Sequence, residues 1–437
     1  MAVRTVQPTA EPATMAVRTA EPTEARMVEP TQAPDPMSDG GPQVTLRPAV
    51  IRCLNIDLAQ FEANYWGQRP LLSHTAGFGD LFSAAAVDEV IAVRGLRTPF
   101  LRMARGGSVL PAAQYTSGGG AGARIADQAD SAKIHSLMTA GATLVLQALH
   151  RVWPPLREFA AELTHEIGHP IQINAYVTPP ESQGFAAHYD THDVFVLQVA
   201  GTKHWTLHNP VTEHPLPGQE WEKYRGLVAD RAAEEPFLAT DLSPGDALYL
   251  PRGWLHSAAT AAGVSIHLTV GVHTLSGRDV TRAALDRVAR DPELRRNLPL
   301  GAGSSGEALT AMVEPILKEI SVAVSALAPT EVAAVLVEGF DQDTPCEPIP
   351  ILGQLQADPA TVAVRWRTGL RPEIHVSADR VTVTAGAHRV EAPQHFEPAL
   401  RLLLDGGVLC SATAPGSADA TPLIHRLLVE SLVVPVE

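Results

Sequence analysis

Between about residues 171 and 274 the chain breaks into short apolar segments, IQINAYVT, DVFVLQVAG, KHWTLHN, DALYLP and VSIHLTVGV, punctuated by Gly, Pro and Asn. The segments are short and rich in β-branched and aromatic residues, so they read as strands. Their spacing is that of an antiparallel β-barrel or a double sheet. This pattern fixes the centre of the chain as an all-strand unit.

The remainder divides around it. The chain has 437 residues, which calls for more than one domain. Residues 1–45 hold 7 of the 36 prolines and no aromatic residue, and MAVRTVQPTAEP is partly repeated from Met15 as MAVRTAEPTEAR. A segment without apolar periodicity cannot offset the entropy of ordering it, so it reads as a disordered low-complexity tail, with Met15 or Met37 as alternative starts. Order is expected from Leu46, with short helices over 55–66 and 86–94. SGGGAGAR around Gly118 lacks the Gly-Lys-Ser/Thr of a phosphate loop and reads as a mobile loop. Helical spacing from Ile134 to Ile167, interrupted at Pro154 and Pro155, suggests two helices.

After Ser276 helical periodicity returns, with Val280, Ala284, Leu285 and Val288 on one face and a second amphipathic run from Ala308 to Phe340. A two-helix appendage cannot bury that many apolar positions on itself, so residues 276–345 are expected to mediate homodimerisation. Residues 346–437 combine a hairpin-like pair, EIHVSA and RVTVTAG, with helices near Pro398–Leu404 and Pro422–Leu432. That combination suggests a winged-helix-like domain. The domains expected are thus 1–45, 46–275, 276–345 and 346–437.

Charge and cysteine content narrow the functions. A net charge of −15 opposes nonspecific attraction to nucleic acid or anionic lipid, and residues 301–437 carry 8 basic against 17 acidic side chains, so no nucleic-acid binding is expected. No apolar stretch reaches the roughly 18 residues a membrane helix needs. The three cysteines, Cys53, Cys346 and Cys410, form no CxxC pair, which argues against a disulfide framework or structural zinc and for the cytosol. The N-terminus shows no secretory signal.

The chemistry gathers in GFAAHYDTHDVFVLQVAG, where His188 and Asp190 stand two apart in an extended segment and so share a face. GDALYLPRGWLHSA then delivers His256 from a second strand. Two imidazoles and one carboxylate leave open positions on an octahedral metal, the arrangement of non-haem Fe(II) oxygenases. His192 is the rival third ligand, but residues four apart on a strand lie roughly 13 Å apart, and it reads as a rim residue. His204, His208, His214 and His273 have no comparable partners. His267 falls on a core strand, where a satisfied histidine competes with a substrate contact.

Lysine is rare here, at 4 residues against 29 arginines, which draws attention to Lys203 just after a Gly-Thr turn. A lysine pointing into a barrel needs an anion to stay charged, and a dicarboxylate would provide one. The alternative is a solvated turn lysine.

FEANYWGQRPLL, INAYVTPPESQGFAAHYDTHDVFVLQVAGTKHW and GDALYLPRGWLHSA together resemble the JmjC-type ribosomal oxygenases, a cupin-fold branch of the Fe(II)- and 2-oxoglutarate-dependent oxygenases. The resemblance covers about residues 50–275. It implies an α+β chain with a double-stranded β-helix core and flanking helices, followed by the helical unit and the winged-helix-like domain. It also implies His188, Asp190 and His256 as iron ligands and Lys203 as partner of the distal carboxylate of 2-oxoglutarate. Asn174, Tyr176 and Thr269 fall where the family lines the co-substrate pocket. The implied reaction converts 2-oxoglutarate to succinate and hydroxylates a protein side chain, with Arg or His of a ribosomal protein as candidate target. A hydroxylase of a small peptide or natural product, and a non-catalytic cupin that binds a ligand or scaffolds a partner, remain as alternatives. Methyl-lysine demethylation is disfavoured because no histone-reader module is visible.

Overall fold

The computed structural model describes residues 49–436, except 261, 345, 387 and 416–418. The tail at 1–45 and the expected onset of order at Leu46 lie outside the described residues.

Side-chain caps start the first helices. Helix α1 (Ala49–Cys53) has its first amides held by the Glu166 carboxylate. Asp57 accepts from Gln60 N ahead of α2 (Leu58–Asn64), and Ser83 accepts from Ala86 N ahead of α3 (Ala84–Ala92). Strand β1 (Leu71–His74) lies between them and β2 (Leu101–Arg105) follows. Over 134–167 the two expected helices are present, but a strand that the helical spacing did not announce lies between them. Helix α4 (Ser131–Thr139) stops before Gly141, whose φ is +86°, and the fully buried TLVL becomes β3 (Thr143–Leu146). Pro154 and Pro155 open α5 (Pro154–Ile167), where a missing amide proton costs nothing, rather than breaking it.

The expected strands then appear in order: β4 (Ile171–Thr178), β5 (Asp193–Ala200) and β6 (Lys203–His208), with helix α6 (Arg225–Ala232) and β7 (Leu238–Leu242) ahead of β8 (Asp246–Leu250), then β9 (Leu255–Ala259) and β10 (Ser265–Val272). They form two antiparallel sheets. The larger runs β1-β8-β5-β10-β4-β3-β2 and ends on Ser108–Val109; the smaller runs β7-β6-β9. The β5–β6 turn needs its glycine, since Gly201 has φ +65° and a Cβ there would sit 2.1 Å from Val264 O.

Strand parity determines what each face of the large sheet meets. Phe195, Leu197, Tyr249, Leu268 and Val270 join one core with residues of α1, α2 and α5. Their neighbours Val194, Val196, Leu248 and Leu250 point the other way and pack on Trp205 and Leu207 of the small sheet. This is a double-stranded β-helix with helices on its outer face.

Helix α7 (Gly277–Val288) begins at a Ser276–Asp279 capping box. The run expected from Ala308 to Phe340 is two helices, α8 (Gly306–Ala326) and α9 (Pro329–Asp343), bent by 90° across an extended Leu327–Ala328 link. Among the described residues no single helix is long and apolar enough to cross a membrane. Beyond α10 (Ile351–Gln356), Glu373–Val376, Arg380–Ala385 and His388–Pro393 make a three-stranded meander, one strand more than the expected hairpin. Val364–Trp366 pairs with Val408–Leu409 and Val433–Pro435, and α11 (Glu397–Leu404) and α12 (Thr421–Val429) share a core with these strands.

Phe61, buried on α2, has its ring centroid 4.9 Å from Tyr249 and 5.9 Å from both Phe195 and Trp66. Phe61→Ala is expected to cost about 3–5 kcal/mol by removing the contact that holds α2 to the sheet. Urea denaturation followed by tryptophan fluorescence checks this; a loss under 1 kcal/mol would show the helix is not anchored there.

Candidate active site

The space between the two sheets is lined by Thr143, Tyr176, Gly184, Phe185, His188, Asp190, Val194, Val196, Lys203, Trp205, His256, Ala258, His267 and Thr269. Both sheets contribute. Of the residues singled out in the sequence, His188, Asp190, His256, Lys203, Tyr176, His267 and Thr269 meet here.

His188 and Asp190 lie in the irregular segment before β5, not within a regular strand. His188 is held by an isolated antiparallel bridge to His256, its N 3.1 Å from His256 O and His256 N 2.8 Å from His188 O. His256 itself is the second residue of β9, after the Pro251–Trp254 turn. Each imidazole places Nδ1 against a carbonyl two residues back, His188 on Ala186 O at 2.8 Å and His256 on Trp254 O at 3.1 Å. That arrangement fixes the rings and leaves Nε2 to ligate. His188, Asp190 and His256 each offer a ligand atom within 4.8 Å of the others.

Burial pushes His256 down to about 4, with the neighbouring His188 adding to the effect. His256 Nε2 lies 3.7 Å from Asp190 Oδ2. Burial alone would raise the Asp190 carboxyl; His192, His256, His188 and Arg102 outweigh it and hold the group below the usual carboxylate range. A neutral imidazole and an ionised carboxylate are the states a metal requires.

Lys203 is 4% exposed at the start of β6 and donates to Thr178 Oγ1 at 3.0 Å. Burial lowers its ammonium to about 7. Its burial is not that of a solvated turn lysine, and no carboxylate partners it among the described residues. His267 stacks on Tyr176 with centroids 5.0 Å apart, and burial, then Lys203 and His256, hold it well below its usual value. Asn174 is not on the lining; its Oδ1 accepts from Ala148 N at 2.9 Å and Gln172 Nε2 at 3.3 Å.

His192 is not grouped with the three ligand residues; it lies against Gly271, its ring 5.1 Å from that of His273. His204 pairs with Asp241, and His208 lies 3.2 Å from Glu234 O. Thr178 was legible by parity from Asn174 and Tyr176, since alternate residues share a face. Arg102, whose guanidinium lies 5.4 Å from the Phe185 ring and acts on both Tyr176 and Asp190, comes from β2, whose LRMAR gave no clear strand signal. Trp221 adds an aromatic wall, its ring 6.2 Å from His188.

Residues 154–280 match the JmjC domain family. The chain is 35% identical over 208 residues to ribosomal oxygenase 1 of Rattus norvegicus, covering 44% of this chain and 33% of that protein. It is 42% identical over 136 residues to the bifunctional lysine-specific demethylase and histidyl-hydroxylase NO66 of Culex quinquefasciatus, covering 29% of this chain and 20% of that protein. The chain thus spans a third or less of these two relatives. In three dimensions it is similar to the ribosomal oxygenase YcfD of Escherichia coli, solved with cobalt and 2-oxoglutarate, with a TM-score of 0.50, 16% identity and coverage of 88% of this chain and 99% of that one. That likeness bears on the fold. The JmjC match spans His188, Asp190 and His256, so the part of the chain that carries the triad is a JmjC domain.

Proposed function

We propose that the chain is an Fe(II)- and 2-oxoglutarate-dependent oxygenase that hydroxylates a side chain of a protein. The observation that carries this reading is the joining, in one cavity, of a two-histidine, one-carboxylate triad with a buried lysine that has no carboxylate partner among the described residues. The donor set fits iron, since two free Nε2 atoms and one carboxylate leave positions open for a bidentate ligand. Lys203 fits the distal carboxylate of 2-oxoglutarate. YcfD, solved with cobalt and 2-oxoglutarate, and the relatives named ribosomal oxygenase and histidyl-hydroxylase support the pairing and a protein as substrate.

Bound iron and 2-oxoglutarate supply the oxidation, with dioxygen, 2-oxoglutarate and the substrate C–H group yielding succinate, carbon dioxide and the alcohol. The protein's part is placement. His188, Asp190 and His256 would hold the metal, and Thr178 accepts a hydrogen bond from the Lys203 ammonium, which lines the same cavity. Val194, Val196 and Trp205 wall the interior against water. His188, only half-buried and flanked by Phe185 and Trp221, marks the side on which a protein side chain can enter. An arginine or histidine of a ribosomal protein is the target we favour. The three free thiols, Cys53, Cys346 and Cys410, support a cytosolic site of action.

We further propose a homodimer through the helical unit. Helix α8 has no buried residue, and Leu309, Val313, Leu317 and Val322 are 41%, 39%, 59% and 72% exposed. Residues 346–437 we read as a winged-helix-like domain.

Wild-type protein should release succinate when given Fe(II), 2-oxoglutarate and cell extract, with matching +16 Da peptides, and His188→Ala, Asp190→Ala and His256→Ala should each lose coupled turnover. Wild-type rates in any two would remove the triad from the reaction.

Co-substrate binding should carry a proton. Lys203 titrates near pH 7 in the free protein, and a bound carboxylate raises it, so binding takes up a proton above that pH. Affinity for 2-oxoglutarate should then fall about tenfold per pH unit above pH 7 and level off below it. Lys203→Met should weaken binding by about 2–5 kcal/mol and abolish the slope. Anaerobic titration of the Fe(II) protein, read by its charge-transfer absorption, measures both; equal affinities for the two proteins would place the anion elsewhere.

Light scattering at micromolar concentration should give twice the 46.5 kDa chain mass. Leu317→Glu should halve it, and a monomeric wild type would exclude the α8 interface.

A further inference from the structure

We propose that Asp193 is a positioning residue for the metal triad, its buried carboxylate fixing the spacing between the segments that carry Asp190 and His256. The inference rests on the triad reading above. Asp193 opens β5 three residues after Asp190 and is 2% exposed. Its Oδ1 accepts from Arg252 N at 3.0 Å and its Oδ2 from the Tyr249 hydroxyl at 2.5 Å. Tyr249 Oη in turn accepts from Gly67 N at 2.8 Å. Arg252 belongs to the Pro251–Trp254 turn that feeds His256, so one carboxylate joins the two branches of the triad.

The neighbouring ties explain why this one matters. Gly253 N donates to Asp190 O at 3.0 Å, and His188 and His256 exchange two main-chain hydrogen bonds. Those bonds are backbone to backbone, and many sequences could make them. Asp193 supplies the side-chain tie. It also acts on a turn with little freedom: Gly253 has φ +91°, and a Cβ there would meet Thr212 O at 2.7 Å. The Arg252 side chain is drawn away, donating to Thr274 Oγ1 at 3.1 Å, so its amide is what faces Asp193.

Packing does not ask for a carboxylate here. The following residues, Val194, Phe195 and Val196, fill both faces of the strand with apolar groups, and a buried carboxylate is unfavourable unless its acceptors are used. Both oxygens are used, on groups that determine where His256 lies relative to Asp190. Metal affinity depends steeply on such placement, because ligands a fraction of an ångström out of position must be pulled into place by the ion.

The test uses the full chain and Co(II), whose absorption reports ligand geometry and needs no turnover. Asp193→Ala should lower Co(II) affinity by at least about tenfold and change the d–d bands, while Asp193→Asn, whose carbonyl can still accept from Arg252 N, should recover to within about threefold of wild type. A folded Asp193→Ala protein with wild-type affinity and spectrum would overturn the proposal. If that variant lacks a cooperative melt, amide exchange of residues 252–256 in the unsubstituted protein decides. Protection without metal that changes little on adding Co(II) supports a turn already held; free exchange that slows only with Co(II) overturns it. His256→Ala is the control for the underlying reading: wild-type protein binding Co(II) no tighter than His256→Ala overturns the triad assignment and this inference with it.

Discussion

An antiparallel strand has two faces, and the large sheet uses both as interior. On β5, Phe195 and Leu197 turn toward the helices while Val194 and Val196 turn toward the small sheet. A strand buried on both sides cannot slip by one residue without exchanging its two faces. The register of β10 against β4 is therefore fixed, and with it the pairing of His267 with Tyr176 and of Thr269 with Asn174. The cavity wall inherits its positions from that register. Apolar packing on the outer face thus orders polar residues on the inner one.

Two buried charges show how differently this interior treats ionic groups. Asp193 has both carboxylate oxygens occupied by protein donors, which makes it part of the frame. Lys203 has one hydroxyl, and burial pulls its ammonium down to about 7. A frame residue with so incomplete a shell would be replaced by an apolar one at little loss. On the function proposed above, that shortfall is what an anionic co-substrate would make good.

Much of this was legible in the sequence because the central strands are short, apolar and separated by Gly and Pro. The segments from IQINAYVT to VSIHLTVGV lie close to their observed bounds, and His188, Asp190, His256 and Lys203 do meet. What escaped depended on neighbours. TLVL looks like the end of a helix until Gly141 is seen with positive φ, and LRMAR carries too little alternation to mark β2. Asn174 shares a face with Tyr176, yet the amide of Ala148 claims its carbonyl, and nothing local in the sequence announces that bond. The bend between α8 and α9 was readable in part, since Pro329 opens a new helix rather than continuing one.

The cavity also leaves polar atoms without hydrogen-bond partners among the described residues. His267 Nδ1 and Trp205 Nε1 are buried and unbonded beside Lys203 and His256, and such atoms cost about 1–3 kcal/mol each. An enclosed site could have been filled with valine and leucine, as the rest of the space between the sheets is. Instead, aromatic and imidazole rings pack edge to face there, Trp205 on His267 with centroids 5.4 Å apart, which keeps the space shaped while leaving it incompletely bonded. Stability given up at these positions is compensated across the sheet by the apolar face against α1, α2 and α5. Because the two faces belong to the same strands, the outer core holds rigid a site that by itself would favour collapse or hydration.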